Sequence, residues 1–211
     1  LGFLALEESV QRSATGLLGI HLEKPIHLGK LSDSIEELKI AFSETGMNER
    51  LHFYDHWGSL DEDNLLSRLR FMAKGLEVDF IVLDHISIVV SGMDSPDERR
   101  SIDTLMTSIR SFVQESGVGM ILVSHLKRPL GNKGHEEGAI TSMSQLRGSH
   151  AIGQLSDAVI GMERDQQGDD PDQVTVRVLK NRFSGLTGPA CHLKYDHETG
   201  RLNEGSNEMD F

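Results

Sequence analysis

The sequence predicts an α/β fold built on a mainly parallel sheet. Short apolar runs of strand length alternate with amphipathic helical segments through most of the 211 residues. Two of these runs end abruptly in acid, at Glu7 and at Asp84. Because ligands of open α/β sheets sit at the carboxyl ends of parallel strands, acids at these positions can hold a metal ion or activate water.

Four apolar runs predict strands that are covered on both faces. They span residues 2–6, 51–54, 79–86 and 119–125. Apolar residues at helical spacing predict two amphipathic helices between these strands, over 63–74 and 98–115. We expect Gly75 and Gly117 to end the two helices, because glycine is common just past a helix.

The carboxyl-terminal part of the chain has a different pattern. A segment over 144–157 predicts a helix at its start. Valines then alternate with other residues over 174–183, and a further run covers 190–195 beyond a turn rich in glycine. This alternation predicts a carboxyl-terminal antiparallel hairpin. We therefore predict one domain over 1–204 and a loose tail over 205–211.

The composition excludes several classes of protein. A single cysteine, Cys191, rules out an intrachain disulfide framework. The longest apolar stretches have the length of strands, so no membrane span is expected. A net charge of −12 argues against a nucleic-acid partner. Local clustering can override that sum, since Lys127, Arg128 and Lys133 fall within seven positions.

The two acid-tipped strands supply the first candidate site residues. Asp84 has the position of a carboxylate that holds Mg²⁺ directly or through its water shell, and capping of the next turn is the alternative role. Glu7 is the matching candidate for a general base that orients or deprotonates attacking water. Successive side chains of an extended segment point to opposite sides. Either Glu7 or Glu8 therefore faces the site, and the sequence does not choose between them.

A histidine and a long basic loop follow the fourth predicted strand. His125 ends that strand, where a polar side chain can touch a terminal phosphate, and a structural role is the alternative. The loop over 125–138 is too long and too rich in glycine for a simple connector, and its basic residues can neutralise phosphates. His135 and the two acids after it lack the histidine pair at helical spacing that a zinc site of this type requires, so zinc is not expected.

The predicted hairpin carries a second basic pair, Lys180 and Arg182, with Gly185 just beyond it. A basic pair at a strand end can project an arginine into the nucleotide site of a neighbouring subunit. A solvated arginine that discourages edge-to-edge aggregation is the alternative.

Eight segments occur together in one order and cover nearly the whole chain. They are LEES at 6–9, IVLDHISIVV at 81–90, HLK at 125–127, HEEG at 135–138, LRGS at 146–149, QLSD at 154–157, ERDQQG at 163–168 and ETG at 198–200. In this order they resemble the RecA-like helicase domain of phage primase-helicases, which are related to Twinkle and to DnaB-like replicative helicases. The resemblance implies a RecA-like P-loop NTPase core. It also implies a ring-forming motor, commonly hexameric, that couples nucleoside triphosphate hydrolysis to translocation along single-stranded DNA and to duplex unwinding.

The resemblance also implies hydrolytic roles for residues that match the family motifs. Glu7 would be the catalytic base and Asp84 the Walker B carboxylate, which makes Asp84 the metal ligand. His125 would link the γ-phosphate to the DNA-binding loop. Gln154 would act with His125 in that coupling. Arg182 would be the arginine finger that reaches the nucleotide of the adjacent subunit.

Further residues would bind the nucleotide and DNA. Lys180 would support the arginine finger, and Arg164 and Tyr195 would lie on either side of the base, since guanidinium and phenol groups both stack on nucleobases. DNA contacts would come from the basic loop and a short segment after it, namely Lys127, Arg128, Lys133, Arg147, Gly148 and Ser149. Gly131 and Gly153 stand where relatives carry basic residues, so we expect weaker DNA affinity.

The cofactors that the resemblance implies are Mg²⁺ and ATP or another nucleoside triphosphate. The implied partners are single-stranded DNA, further copies of the chain in a homo-oligomeric ring, a primase region and a replicative polymerase. Six basic loops can make a positive bore inside an acidic ring, which removes the objection from net charge. No membrane partner is expected. The expected location is the cytoplasm of a phage-infected or bacterial cell rather than a mitochondrion.

The chain departs from the family pattern in one important way. No Gly-x-x-x-x-Gly-Lys-Ser/Thr phosphate loop (Walker A) occurs in the 211 residues, and in the family that loop and the first core strand precede the Glu7 strand. We therefore expect the isolated chain to be inactive and to fold marginally. A nucleic-acid-binding or ring-assembly module without hydrolysis is the alternative function. A RecA-like recombinase or clock-type ATPase would not carry the segment 147–157.

Overall fold

The computed structural model describes residues 1–29, 35–47, 49–55, 61–91, 97–129, 133–146 and 150–205. The chain divides into two compact units, Leu1–His125 and Leu126–Phe211. Among the described residues, no helix combines the length and the hydropathy that a membrane span needs.

The first unit contains a parallel sheet and five α-helices within its described residues. Its elements are β1 Gly2–Ala5, α1 Val10–Leu22, α2 Ile35–Glu44, β2 His52–Phe53, α3 Glu62–Gly75, β3 Phe80–Asp84, α4 Ile86–Ser91, α5 Glu98–Ser116 and β4 Gly119–Leu122. A short 3₁₀ helix at Ile26–Leu28 follows α1. The strands lie in the order β2-β1-β3-β4, and each neighbouring pair is parallel. The predicted parallel sheet is therefore present.

The register of this sheet aligns the carboxyl ends of three strands. Ala5 of β1 lies opposite Asp84 of β3, and Leu83 of β3 lies opposite Leu122 of β4. The bond from the Leu6 N–H to the Asp84 carbonyl oxygen, at 2.6 Å, continues the pairing by one residue. The residues that follow β1, β3 and β4 therefore leave the sheet at the same edge.

Apolar packing holds the first unit together. Among the described residues, the largest fully buried side chains all belong to it: Leu4, Leu65, Leu69, Ile81, Leu83, Ile86, Val89, Ile102 and Leu105. These residues come from β1, β3, α3, α4 and α5, and α5 packs against both α3 and α4. Burial of one such side chain contributes roughly 1.5–3 kcal/mol relative to its exposure, so the strand ends rest on a rigid base.

Capping side chains explain where several helices of this unit begin. Ser9 accepts a hydrogen bond from the Arg12 N–H at the start of α1, and Asp61 accepts one from the Asn64 N–H at the start of α3. Asp97 likewise caps α5. These bonds satisfy backbone donors that a helix leaves free at its first turn. Gly117 follows α5 with φ 75°, and Gly75 is the last residue of α3, so both helices end at the predicted glycines.

The third predicted strand is shorter than the sequence indicated. We predicted extended backbone over 79–86, but β3 ends at Asp84 and α4 begins at Ile86. The β-branched residues after His85 resemble a strand. Ile86, Val89 and Val90 are nevertheless spaced as one helical face and are all buried, and this burial outweighs their weak intrinsic preference for strands.

The second unit contains an antiparallel sheet. Its elements are a 3₁₀ helix Met143–Gln145, then α6 His150–Leu155, β5 Ala158–Arg164, β6 Gln173–Asn181, β7 Gly188–Asp196 and β8 Arg201–Glu204. The strand order is β5-β6-β7-β8, and every neighbouring pair is antiparallel. The predicted hairpin is present as β6 and β7, and β5 and β8 extend it to four strands. The helix expected at the start of 144–157 is a 3₁₀ helix there, and the α-helix begins at His150.

Each sheet has an outer strand with exposed apolar side chains. Ile121 is exposed on β4 of the first sheet, and Ile160 and Met162 are exposed on β5 of the second sheet. An outer strand also presents unpaired backbone groups. Marginal folding of the isolated chain stays a prediction, and these two edges are where we expect it to originate.

Candidate active site

The first unit gathers its candidate catalytic residues at one edge of the parallel sheet. Glu7 follows β1, Asp84 is the last residue of β3, and His125 lies just beyond β4. Since these strands are adjacent and end at the same edge, the three residues lie together there although the sequence separates them widely, and Asp84 is close enough to be affected by the charges of Glu7 and His125. The sequence prediction placed all three at strand ends, and the structure brings them together.

His85 connects the members of this cluster. A carboxylate only accepts hydrogen bonds, so the Nε2–H of His85 donates to Oε1 of Glu7, at 2.7 Å. The rings of His85 and His125 lie 3.9 Å apart between centroids, at an interplanar angle of 35°. The His85 side chain is 5% exposed and that of Glu7 is 52% exposed. The sequence alone indicates no role for His85, although its position directly after Asp84 is a signal.

The structure distinguishes Glu7 from Glu8. Oε1 of Glu8 accepts a hydrogen bond from the Ser13 hydroxyl at 2.6 Å, and its Oε2 lies 3.5 Å from Nε of Arg12. Both partners belong to α1. Glu8 is therefore engaged by the helix that follows it, whereas Glu7 joins the histidines at the edge of the sheet.

The surroundings of Asp84 disfavour its charged form. Burial raises the pKa of Asp84 above its ordinary value of 3.8, His85 partly opposes this effect, and the carboxylates of Glu7 and Glu8 add to it. A cation beside Asp84 would favour the ionised carboxylate. Carboxylate oxygens are the protein ligands that Mg²⁺ prefers. The donor set therefore fits Mg²⁺.

A transition-metal site is a weaker interpretation of the same edge. Glu7, His85 and His125 each offer a ligand atom, and these atoms lie within 4.8 Å of one another. The hydrogen bond between Glu7 and His85 and the ring contact between the histidines already account for that closeness.

In the second unit, Lys180 and Arg182 both reach the end of α6. Nζ of Lys180 donates to three carbonyl oxygens there, at 2.6, 3.0 and 2.8 Å. Arg182 donates to the Gln154 carbonyl at 3.0 Å and pairs with Asp157 at 2.9 Å. The last carbonyls of a helix lack intrahelical partners, so Lys180 closes α6. The structure thus brings Gln154, Lys180 and Arg182 together, with Gln154 contributing its backbone oxygen.

Arg164 and Tyr195 lie at one end of the antiparallel sheet, around Asp172. Arg164 donates to the Pro171 carbonyl at 2.6 Å and to Oδ1 of Asp172 at 3.3 Å. Tyr195 donates its backbone N–H to the Asp172 carbonyl at 2.9 Å. The His197 ring meets the Tyr195 ring edge-on at 5.0 Å and donates to the same Oδ1 at 2.8 Å. Asp172 and His197 were not predicted, because their link to Arg164 is visible only in three dimensions.

The predicted DNA-contacting residues lie partly outside the described residues. Arg147, Gly148 and Ser149 are among those outside, as is Gly131. The remaining three, Lys127, Arg128 and Lys133, are exposed in the loop that opens the second unit. Within this loop, the His135 ring donates to the Lys127 carbonyl at 3.0 Å. Nζ of Lys133 lies 3.8 Å from Asp165.

Glu163 anchors Thr141, which follows this loop, to the antiparallel sheet, and it was not predicted. Its Oε1 accepts from the Thr141 N–H and hydroxyl, both at 2.8 Å, and from Nε of Arg177 at 2.6 Å. The side chains of Glu163 and Arg177 are 9% and 19% exposed. Burial by itself raises the pKa of Glu163, but the bonds from Arg177 and Thr141 outweigh it and hold the pKa below 4.5. Glu163 directly precedes Arg164 on β5, so the residue that holds Thr141 and the predicted base contact are neighbours on one strand.

The acids and histidines of the first unit lie at the carboxyl edge of a parallel sheet, which is where open α/β sheets bind their ligands. Residues 4–204 match the family model of the DnaB-like helicase C-terminal domain, and the chain belongs to that family. It is 42% identical over 216 residues to the DNA helicase/primase of Enterobacteria phage T3. The aligned region covers 98% of the chain and 37% of that relative.

Two solved structures resemble the fold. One, described as an ATPase domain, aligns with a TM-score of 0.77 at 17% identity, covering 97% of this chain and 74% of that one. The other, a DnaB-like replicative helicase described with its interactions with primase, aligns with a TM-score of 0.73 at 18% identity, covering 96% and 49%. At these identities the likeness shows the fold alone. It confirms the predicted RecA-like α/β architecture, and the family match confirms the predicted relationship to DnaB-like helicases.

Proposed function

We propose that the protein acts as the motor domain of a replicative DNA helicase. It couples hydrolysis of ATP or another nucleoside triphosphate to translocation along single-stranded DNA and to duplex unwinding. The observation that carries the proposal is the cluster of Glu7, Asp84, His85 and His125 at the common carboxyl edge of β1, β3 and β4. Family membership and the helicase/primase name of the phage relative support the same class of motor.

Glu7 is proposed as the general base for the attacking water. His85 occupies its Oε1, so Oε2 is the oxygen that takes the proton from water. The half-exposed position of Glu7 keeps it accessible to water while its hydrogen-bond partner is buried. Orientation of a base by a fixed neighbour is typical of hydrolytic sites.

Asp84 is proposed as the residue that holds Mg²⁺. When bound, the ion neutralises charge that develops on the transferred phosphoryl group. His125, beside Asp84 at the same edge, is proposed to contact the γ-phosphate and to relay its loss to the loop after it. Gln154 is proposed to take part in that relay.

The second unit is proposed to serve a neighbouring copy of the chain. In a homo-oligomeric ring, commonly a hexamer, Arg182 would leave Asp157 for the neighbour's phosphates, with Lys180 fixing the end of α6 beside it. Arg164 and Tyr195 would hold the base. Single-stranded DNA would contact the loop that carries Lys127, Arg128 and Lys133, together with residues 147–149. A primase region and a replicative polymerase are the proposed replication partners.

The matched pair Glu7→Gln and Glu8→Gln tests this function. In the full-length gene product that contains these residues, we expect Glu7→Gln to lower kcat for DNA-stimulated hydrolysis about 100-fold. Glu8→Gln should stay within about threefold of the unchanged protein, because the amide can still accept the Ser13 hydroxyl. Equal losses in the two variants, or no loss in either, would contradict the assignment of Glu7.

One observation favours a second candidate function. The 211 residues contain no phosphate loop, as in a nucleic-acid-binding or ring-assembly module without hydrolysis. DNA binding by a full-length product that never hydrolyses a nucleoside triphosphate would support this module. DNA-stimulated hydrolysis that depends on Glu7 would exclude it.

A further inference from the structure

We propose that His85 is a positioning residue that orients the Glu7 carboxylate and couples it to His125. This inference rests on the proposed function, because it takes Glu7 as the base. His85 itself need not touch the nucleotide or the attacking water. It would act through the two side chains that it contacts, Glu7 and His125.

The hydrogen bond from His85 restrains an otherwise mobile Glu7 side chain. A glutamate side chain has several rotatable bonds, and that of Glu7 is half-exposed, so little packing restrains it. Its Oε1 is held at 2.7 Å by the Nε2–H of a buried imidazole. A single bond to an immobile donor therefore selects one carboxylate orientation from many, which is how a base is preorganised.

The backbone around His85 explains why this donor is immobile. The next residue, Ile86, is buried and donates its N–H to the Val123 carbonyl at 3.2 Å. The His85 carbonyl accepts from the Ile88 N–H, also at 3.2 Å, in the first turn of α4. The backbone at His85 is thus fixed between the end of β3 and the segment that leads to His125, and burial of the side chain restrains the imidazole.

The contact with His125 supplies the coupling. The two rings lie 3.9 Å apart between centroids, so a movement of the exposed His125 ring changes the packing of His85. Nδ1 of His85 is buried without a hydrogen-bond partner among the described residues. Such an atom is disfavoured in a protein interior, and an apolar side chain would fill the space without it. The imidazole therefore offers something that an apolar side chain cannot, namely the Nε2–H donor.

Two substitutions separate the donor from the ring. His85→Phe keeps an aromatic ring for His125 but removes the hydrogen bond to Glu7. His85→Gln keeps an N–H donor at a similar reach but removes the ring. Each is made in the full-length gene product, and hydrolysis of ATP is measured with and without single-stranded DNA.

The expected results differ for the two variants. His85→Phe should lower basal kcat about 10-fold, because the base loses its orientation, while KM for ATP changes less than about twofold. His85→Gln should lower basal kcat less than His85→Phe does, because an N–H donor remains, but should lose most of the stimulation by DNA. In the Glu7→Gln background, His85→Phe should cause no further loss, since the oriented group is already gone.

Other outcomes would overturn the proposal. Unchanged kcat in His85→Phe would remove the positioning role, and full DNA stimulation in His85→Gln would remove the coupling. If both variants lose kcat, nucleotide affinity and melting temperature together, His85 is structural. Glu7→Gln is the reference for the proposed function itself. Full hydrolysis in Glu7→Gln refutes Glu7 as the base. If Glu7→Gln loses hydrolysis but His85→Phe hydrolyses ATP normally, only the role of His85 is refuted.

Discussion

The two units hold their candidate functional side chains by different means. In Leu1–His125, acids and histidines stand at the ends of parallel strands whose own side chains, such as Leu4 and Leu83, are fully buried. In Leu126–Phe211, several candidate cations are held by acids. These pairs are Arg182 with Asp157, Arg164 with Asp172 and Lys133 with Asp165. Buried strands and a hydrogen bond from the buried His85 hold the first set, and ion pairs hold the second.

This difference matches two kinds of task. A group that must be oriented at every turnover benefits from a rigid, preorganised support. A charge that must pass to an incoming phosphate needs a partner that it can leave at low cost, and solvent-exposed ion pairs contribute only about 0–1 kcal/mol. We therefore expect the first unit to supply the permanent base and the second to supply exchangeable cations.

We expect the largest effect from removing Arg182, one of the exchangeable cations. Arg182→Ala should lower DNA-stimulated hydrolysis by the full-length product about 1,000-fold, the scale of a missing arginine finger. In the proposed ring, each site takes Glu7 from one subunit and Arg182 from the next. Mixing Arg182→Ala subunits with Glu7→Gln subunits should therefore restore hydrolysis, because some interfaces regain both groups. Absence of any recovery in mixed rings would rule out an intersubunit role.

Asp157→Asn is the matched control for Arg182. It breaks the same ion pair, at 2.9 Å, but leaves the guanidinium in place. If Arg182 acts on phosphate, Asp157→Asn should keep hydrolysis within about tenfold of the unchanged protein. A loss of hydrolysis as large as that of Arg182→Ala would instead show that hydrolysis requires the ion pair between Arg182 and Asp157.

The second unit also contains one well-buried ion pair, between Glu163 and Arg177, which should behave differently from its exposed pairs. Glu163→Gln leaves the Arg177 guanidinium without its charge partner, so we expect the free energy of opening β5 and β6 to fall by about 3 kcal/mol. Hydrogen exchange of amides in those strands measures it. Lys194→Met breaks an exposed pair with Asp170 and should change the same free energy far less, because solvent screens an exposed pair. Equal effects would mean that burial does not distinguish the two pairs.

The pH dependence of this stability has a definite sign. The pKa of Glu163 lies below 4.5 in the folded chain, so its ionisation stabilises the fold at higher pH. That contribution is fully present above about pH 4.5 and is lost as pH falls through the lowered pKa. The stability difference between the unchanged protein and Glu163→Gln should therefore shrink below pH 4.5. A difference that grows on acidification would contradict the ion-pair explanation.

The sequence predicted what depends on local pattern. Asp84 was identifiable because an acid ends an apolar run, and the alternation of β6 and β7 predicted their pairing. The choice between Glu7 and Glu8 depends on His85, 78 positions away, and no local pattern contains that contact. The helix α4 was missed because its β-branched residues also suit a strand. The bonds of Lys180 to the end of α6 likewise could not be predicted, because the first of their acceptors, the Gly153 carbonyl, lies 27 positions away in the sequence.

The smallest expected effect concerns the loop lysines. Both Lys127 and Lys133 are exposed, but Lys133 lies 3.8 Å from Asp165, whereas no ion pair of Lys127 is seen within the part of the chain that the structure describes. If each lysine contacts one phosphate of single-stranded DNA, removing that lysine should reduce the magnitude of the slope of log affinity against log salt by about 0.7.

Lys127→Ala should show that full reduction. Lys133→Ala should show a smaller loss of affinity. When Lys133 binds a phosphate it must give up its ion pair with Asp165, which offsets part of the binding free energy. Filter binding of a fluorescent oligonucleotide over a salt series measures both quantities in the full-length product, with Lys194→Ala, on β7, as the control for general charge. A slope lowered equally by Lys194→Ala would mean that net charge, and not this loop, determines DNA affinity. A larger affinity loss for Lys133→Ala than for Lys127→Ala would mean that the ion pair with Asp165 orients Lys133 for DNA. The pair would then assist DNA binding and would not compete with it.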